Sequence, residues 1–118
     1  MTVPKCLLVE DEYLIRLTLA EALADEGFAV LEAASADEAL NLLRRNPDIG
    51  LLLTDIQLPG SVDGHGLVRR AREHAPSLPV IYMTGRGVAA ASDPNAVVLT
   101  KPFLPSEICA AARRLTGR

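Results

Sequence analysis

Four apolar runs of the chain end in side chains that can act together. Residues 6–9 lead into Glu10-Asp11-Glu12, 49–53 into Thr54-Asp55, 79–82 into Met83-Thr84-Gly85, and 96–99 into Thr100-Lys101-Pro102. If the first and third runs are neighbouring strands, Glu10, Asp11 and Asp55 converge in one small concavity, with Thr84 and Lys101 on its far rim. Carboxylates crowded in this way repel, and their pKa values rise unless a cation joins them. A site of few carboxylates plus water suits Mg2+ better than an all-protein Ca2+ cage. Lys101 is a point charge that can pair with a carboxylate or with a phosphate oxygen. The Thr84 hydroxyl can donate to another oxygen of the same group, and Gly85 leaves the approach to Asp55 open. A carboxylate nucleophile, a metal and two groups for phosphoryl oxygens make a phosphoryl-transfer site.

The runs that carry these residues alternate with helical patterns. From Tyr13 the spacing becomes helical through Ile15, Leu19, Ala22 and Leu23, and Gly27 is placed to stop the helix. Residues 28–31 read as a second strand. Ser35 and Glu38 fit a capping box that opens a helix carrying Ala39, Leu42 and Leu43, closed by Asn46-Pro47. A turn-rich stretch, 58–64, follows Asp55. Next comes a helix with Leu67, Val68 and Ala71 inward and Arg69, Arg70 and Arg72 on a solvated face. Ile108, Ala111, Ala112 and Leu115 form the stripe of a last helix. Five strands in strict alternation with helices predict an α/β domain with a parallel sheet. Strands that are apolar throughout predict helices on both faces. In such sheets ligands bind beyond the carboxyl ends of the strands, where strand order reverses.

Composition narrows the function classes. The 118 residues, 49% of them hydrophobic, suit one domain over 1–118 with a buried core. A net charge of −3 excludes a basic nucleic-acid footprint and a polybasic membrane anchor. No apolar run reaches the roughly 18 residues of a membrane span, and the N-terminus lacks signal-peptide order. Cys6 and Cys109 lie in apolar segments and read as buried free thiols of a reducing compartment, so a cytoplasmic location is expected. His65 and His74 have no spaced partners and read as surface residues, and Asp63 reads as a turn or cap residue. No GxxxxGK[ST] pattern occurs, which excludes a P-loop nucleotide site.

Together these residues resemble a response-regulator receiver domain of two-component signalling, over essentially the whole chain. The likeness rests on Leu8-Val9-Glu10-Asp11, on Leu53-Thr54-Asp55-Ile56-Gln57-Leu58-Pro59, on Asp63-Gly64, on Met83-Thr84 and on Lys101-Pro102-Phe103. The resemblance implies a flavodoxin-like five-stranded parallel sheet in order 2-1-3-4-5 with helices on both faces. It implies that Asp55 accepts a phosphoryl group from a histidine of a sensor kinase or phosphotransfer protein. Asp11, Asp55 and the backbone carbonyl of Gln57 would ligate Mg2+, with Glu10 acting through water. Thr84 and Lys101 would contact phosphoryl oxygens, and the Lys101-Pro102 bond is expected to be cis. The expected function is a stand-alone phosphoacceptor that signals through protein contacts. Such a domain is not an enzyme beyond self-phosphotransfer and slow autodephosphorylation.

Three departures from the family pattern bear on mechanism. The loop from Asp55 to Gly64 is one residue longer than usual, which predicts a local bulge beside the site. Thr84 and Lys101 are separated by residues 85–100, which leaves room for a short or irregular fourth helix of about two turns. The usual aromatic residue three positions before the lysine is Val98. Without a ring to turn, the domain is expected to signal by reordering residues 85–95. Gln57 and Arg86 flank the site and are candidates for tuning phosphate loss. The alternative from another class is a degenerate receiver that docks without phosphorylation. An aspartyl-phosphate hydrolase of the haloacid-dehalogenase type would carry a second Asp where Gln57 stands.

Overall fold

A computed structural model describes residues 3–85 and 93–117. The chain runs β1 (Lys5–Val9), α1 (Tyr13–Asp25), β2 (Ala29–Ala33), α2 (Ala36–Arg45), β3 (Ile49–Asp55), α3 (Gly64–His74), β4 (Val80–Thr84), β5 (Ala96–Thr100) and α4 (Pro105–Thr116). All strand pairs are parallel, in the order β2-β1-β3-β4-β5. This is the flavodoxin-like order expected from the sequence. Strand order reverses between β1 and β3, so the ends of those two strands face one crevice.

The apolar runs have no alternation because both faces of the central strands are covered. On β1, Cys6 and Leu8 pack into the layer with α1 and α4, while Leu7 and Val9 pack into the layer with α2 and α3. A fully buried side chain of this size contributes about 1.5–3 kcal/mol relative to exposure. The register between β1 and β3 shifts after the Lys5–Ile49 pair, so that Cys6 pairs with Leu51. That irregularity places Gly50 outside the core and lets Ile49 and Leu52 share one face.

Local signals explain the helix ends. Gly27, at φ +97°, takes the left-handed turn that ends α1. The Ser35 Oγ accepts the Glu38 N–H at 3.2 Å, and the Glu38 carboxylate accepts from Ala34, one residue before the cap. Asp63 caps α3 by accepting the Gly66 N–H at 2.8 Å, as its turn position predicts. Strand limits differ from those read in the sequence. β2 starts after Phe28, which is buried in the core. β3, β4 and β5 each continue into their polar ends, because ladder pairing holds through Asp55–Met83 and Thr84–Thr100. Asp55 and Thr84 are therefore the last residues of their strands, while Glu10 and Lys101 directly follow β1 and β5.

Two expectations are corrected. Arg72 does not sit on a solvated face. It donates to the Leu78 carbonyl through Nε at 3.2 Å and Nη2 at 2.9 Å, and to the Asn95 carbonyl at 3.3 Å. It also pairs with Asp93, which in turn accepts the Asn95 N–H. The guanidinium thus ties the end of α3 to the entries of β4 and β5. His65 is half-buried, its ring 5.0 Å from that of Tyr82. Tyr82 pairs in register with Val98, so an aromatic ring stands one strand away from the position where the family usually has it. The short fourth helix and the role of Arg86 fall on residues 86–92, outside the described residues, as does most of the 85–95 segment expected to reorder. Among the described residues no helix is long and apolar enough to cross a membrane.

The Arg72 hydrogen bond holds the Asp93 carboxyl below its usual value. A depressed carboxyl stabilises the fold above the unfolded pKa of about 3.9, and the contribution disappears as pH falls through the lower folded value. Asp93→Asn should therefore lower the urea midpoint at neutral pH, and the gap to the parent chain should close below about pH 4. Urea titrations of both proteins across that range measure the effect.

Candidate functional site

The site is assembled from the ends of β1, β3, β4 and β5. Glu10 follows β1 and is held on the ladder by its N–H, which donates to the Ala33 carbonyl at 3.0 Å. Its side chain is 1% exposed, a burial that for a glutamate requires partners. Asp55 closes β3 and is also buried, while Asp11 lies exposed on the rim. One carboxylate oxygen from each of Glu10, Asp11 and Asp55 lies within 4.8 Å of the others.

Lys101 makes this crowding tolerable. Its Nζ donates to Glu10 Oε1 at 3.0 Å and to Asp55 Oδ2 at 2.8 Å. The second oxygens have their own donors: the Glu12 N–H reaches Glu10 Oε2 at 3.2 Å, and the Gln57 N–H reaches Asp55 Oδ1 at 3.2 Å. Burial pushes the Glu10 carboxyl up, with the Asp55 charge adding to it, and the Glu12 amide and Lys101 offset only part of this. Burial alone would depress the Lys101 ammonium. Its hydrogen bonds to Asp55 and Glu10, and their charges, outweigh burial and hold it above the ordinary lysine value. Three carboxylates against one ammonium leave the pocket acidic, and an all-oxygen donor set of this kind matches a hard divalent cation.

The remaining predicted residues lie around this pocket. Thr84 is the buried last residue of β4, and its carbonyl accepts the Lys101 N–H at 2.7 Å. Gln57 is exposed in the loop after β3. The Lys101-Pro102 peptide is cis, as expected. The long loop turns at Gly60, with φ +91°, and returns to Gly64, whose N–H donates to the Ile56 carbonyl at 2.8 Å. A Cβ on Gly64 would lie 2.3 Å from the Asp55 carbonyl oxygen and 2.8 Å from the Ile56 Cα. Glycine, which has no Cβ, permits this approach. The loop carrying Gln57 is thereby closed directly against the backbone of Asp55.

The family described as response regulator receiver domain matches residues 6–113. The chain belongs to this family. Receivers are the phosphoacceptor domains of two-component response regulators, and phosphorylation on Asp and dependence on Mg2+ are general family properties. Members bind Mg2+ at an acidic pocket, and this receiver has such a cluster. Receivers interact with histidine kinases or phosphotransfer proteins and are generally not true enzymes.

Among similar proteins, the aerobic respiration control protein ArcA of Escherichia coli (strain K12) is 36% identical over 126 residues, covering 100% of this chain and 50% of that protein. The response regulator receiver protein Anae109_2439 of Anaeromyxobacter sp. (strain Fw109-5) is 40% identical over 107 residues, covering 91% of this chain and 43% of that one. The receiver spans about half the length of the curated relatives it matches. Among solved structures, a response regulator receiver protein from Sinorhizobium medicae WSM419 superposes with a TM-score of 0.89 at 30% identity, covering 98% of this chain and 95% of that one. The receiver domain of the hybrid histidine kinase CckA gives 0.83 at 31% identity, covering 95% of this chain and 98% of that one.

Two supports of the pocket have no signature in local sequence pattern: the Glu12 amide and Arg16. Arg16 Nη1 donates to the Glu10 carbonyl at 2.7 Å. A single arginine on a helical pattern reads as a surface charge, and its inward reach appears only with the fold. For Gly64, substitution tests the closure of the loop. Gly64→Ala should cost about 1–3 kcal/mol, since backbone rather than a flexible side chain must give way. A lowered urea midpoint, accompanied by shifted amide resonances at Asp55 and Ile56, is the expected outcome.

Proposed function

We propose that this receiver accepts a phosphoryl group on Asp55 from a histidine of a sensor kinase or phosphotransfer protein, in a Mg2+-dependent step, and signals through protein contacts. The observation that carries this reading is the bridge from Lys101 to both Glu10 and Asp55 at the rim of an acidic pocket. It joins a carboxylate nucleophile to a cation able to turn towards a phosphoryl oxygen, using residues brought together from the start, the middle and the end of the sequence.

In the transfer, an Asp55 carboxylate oxygen bonds to phosphorus while the P–N bond of the phosphohistidine breaks. The electron pair of that bond leaves with the imidazole nitrogen. Bound Mg2+ supplies positive charge against the carboxylates and the phosphoryl oxygens. Asp11, Asp55 and the Gln57 carbonyl are the groups that would hold it directly, with Glu10 acting through water. Lys101 and the Thr84 hydroxyl take the remaining phosphoryl oxygens. Later attack by water on the acyl phosphate returns Asp55, so the receiver turns over its own phosphate and no separate substrate. Phosphorylation biases a two-state equilibrium that a partner reads. The cytoplasm is the location consistent with this role.

The donor needs a surface beside Asp55. A groove of about 550 Å³ runs from Lys101 past Leu14, Ile15, Leu19, Phe103 and Pro105. Leu14 is 70% exposed, and Tyr13, Leu17 and Leu104 are exposed beside it. This apolar strip, continuous with the pocket through Lys101, suits an apolar helix face of the donor protein.

Incubation with acetyl phosphate and Mg2+ should add one phosphoryl group by intact mass, and Asp55→Asn should abolish the gain. No gain in the parent chain, with no Mg2+ binding, would leave the docking module as the better description. Leu14→Asp should preserve phosphorylation by acetyl phosphate while slowing transfer from a histidine phosphodonor by about tenfold, as expected for loss of a buried apolar contact worth about 1.4 kcal/mol. Equal rates from the protein donor would remove the strip from the donor interface.

A further inference from the structure

We infer that Arg16 is a positioning residue for the cation pocket, acting through the backbone of Glu10. This inference rests on the reading of the acidic cluster as a Mg2+ site. The guanidinium reaches from α1 across the turn that joins it to β1. Nη1 donates to the Glu10 carbonyl at 2.7 Å, while Nε faces Glu32 Oε1 on β2 at 3.3 Å. Its carbon lies 5.5 Å from the centre of the Tyr13 ring. Arg16 is therefore held on two further sides while it grips one peptide, and its side chain is 16% exposed.

The gripped peptide is the one that joins Glu10 to Asp11. Its carbonyl belongs to Glu10, and its N–H belongs to Asp11. The preceding peptide is fixed by the Glu10 N–H donating to the Ala33 carbonyl, and the Glu10 carboxylate is fixed by Lys101 and the Glu12 N–H. Asp11 is the exposed member of the triad, so the direction of its carboxylate depends on the orientation of that peptide. The Arg16 hydrogen bond sets this orientation. Outer partners of this kind typically change metal affinity by about 10–100-fold.

Charge and position predict opposite signs, which makes the inference testable. Arg16 is a cation close to a cation site, so its charge alone weakens Mg2+ binding, and its removal would tighten it. If it acts by position, removal loosens Asp11 and weakens binding. The experiment is a Mg2+ titration by calorimetry of the parent chain, Arg16→Ala and Glu26→Ala, well below each unfolding temperature. Glu26 pairs with Arg113 at the other end of α1, at 2.6 Å, so its substitution removes an ion pair of the same helix without touching the Glu10 peptide.

The expected result is about tenfold weaker binding for Arg16→Ala and parental affinity for Glu26→Ala. The metal-free Arg16→Ala protein should also show a displaced Asp11 amide nitrogen resonance, since that nitrogen shares a peptide with the released carbonyl. Equal or tighter binding by Arg16→Ala overturns the inference and leaves the Mg2+ reading intact. Equal weakening by Glu26→Ala overturns it as well, assigning the effect to a loosened helix. If the parent chain binds no Mg2+, the reading of the pocket fails and the inference falls with it.

Discussion

Carboxylates do not gather inside a protein without a counter-charge, and in this fold the counter-charge comes from the far end of the chain. Lys101 lies 91 residues after Glu10 and 46 after Asp55, yet one ammonium serves both. The bridge requires β5 to be in place on β4, β4 on β3, and β1 beside β3. A parallel sheet supplies this arrangement, because every strand delivers its carboxyl end to the same side. The acidic pocket is thus a product of the entire sheet, and each helix that covers a face contributes by fixing the register of the strands beneath it. Breaking such a pair on one side costs more than the pair contributes when intact, because the abandoned charge stays buried.

Much of this was legible in the sequence because the signals were local. Apolar runs of strand length, separated by helical spacing, specify an alternating α/β chain, and a polar residue at the end of each run marks the crevice side. The placement of Asp55, Thr84 and Lys101 at the same edge of the sheet as Glu10 and Asp11 is legible in this way. The strand order came from resemblance to a family rather than from spacing, since nothing in the pattern of a single strand names its neighbour. Legibility failed where a side chain acts at a distance. Arg72 has the spacing of a solvated residue, yet its length carries it to the Leu78 and Asn95 carbonyls. Arg16 has a similar disguise. Long cationic side chains are poorly placed by periodicity, because the heads lie far from the backbone positions that periodicity describes.

Strand ends are hard to place from hydropathy for a related reason. A hydropathy reading stops a strand where polarity begins, whereas the hydrogen-bonded ladder is indifferent to side-chain type. Asp55 and Thr84 are consequently held by main-chain pairing and not by flexible loops. Their backbones are fixed by neighbours on adjacent strands, the condition under which a side chain at a site keeps its geometry. The loop after β3 is closed by the contact at Gly64, so the side of the pocket that carries Gln57 shares some of that rigidity.

The two cysteines have a practical consequence. Both thiols are free and buried, and burial pushes the Cys6 thiol up to about 12 and raises that of Cys109. Both are shielded by burial from an alkylating reagent while the domain is folded. A fluorophore or spin label could therefore be attached at a newly introduced surface cysteine without first removing the native pair. The same two thiols would report unfolding without any introduced cysteine, by the appearance of reactivity towards a thiol reagent.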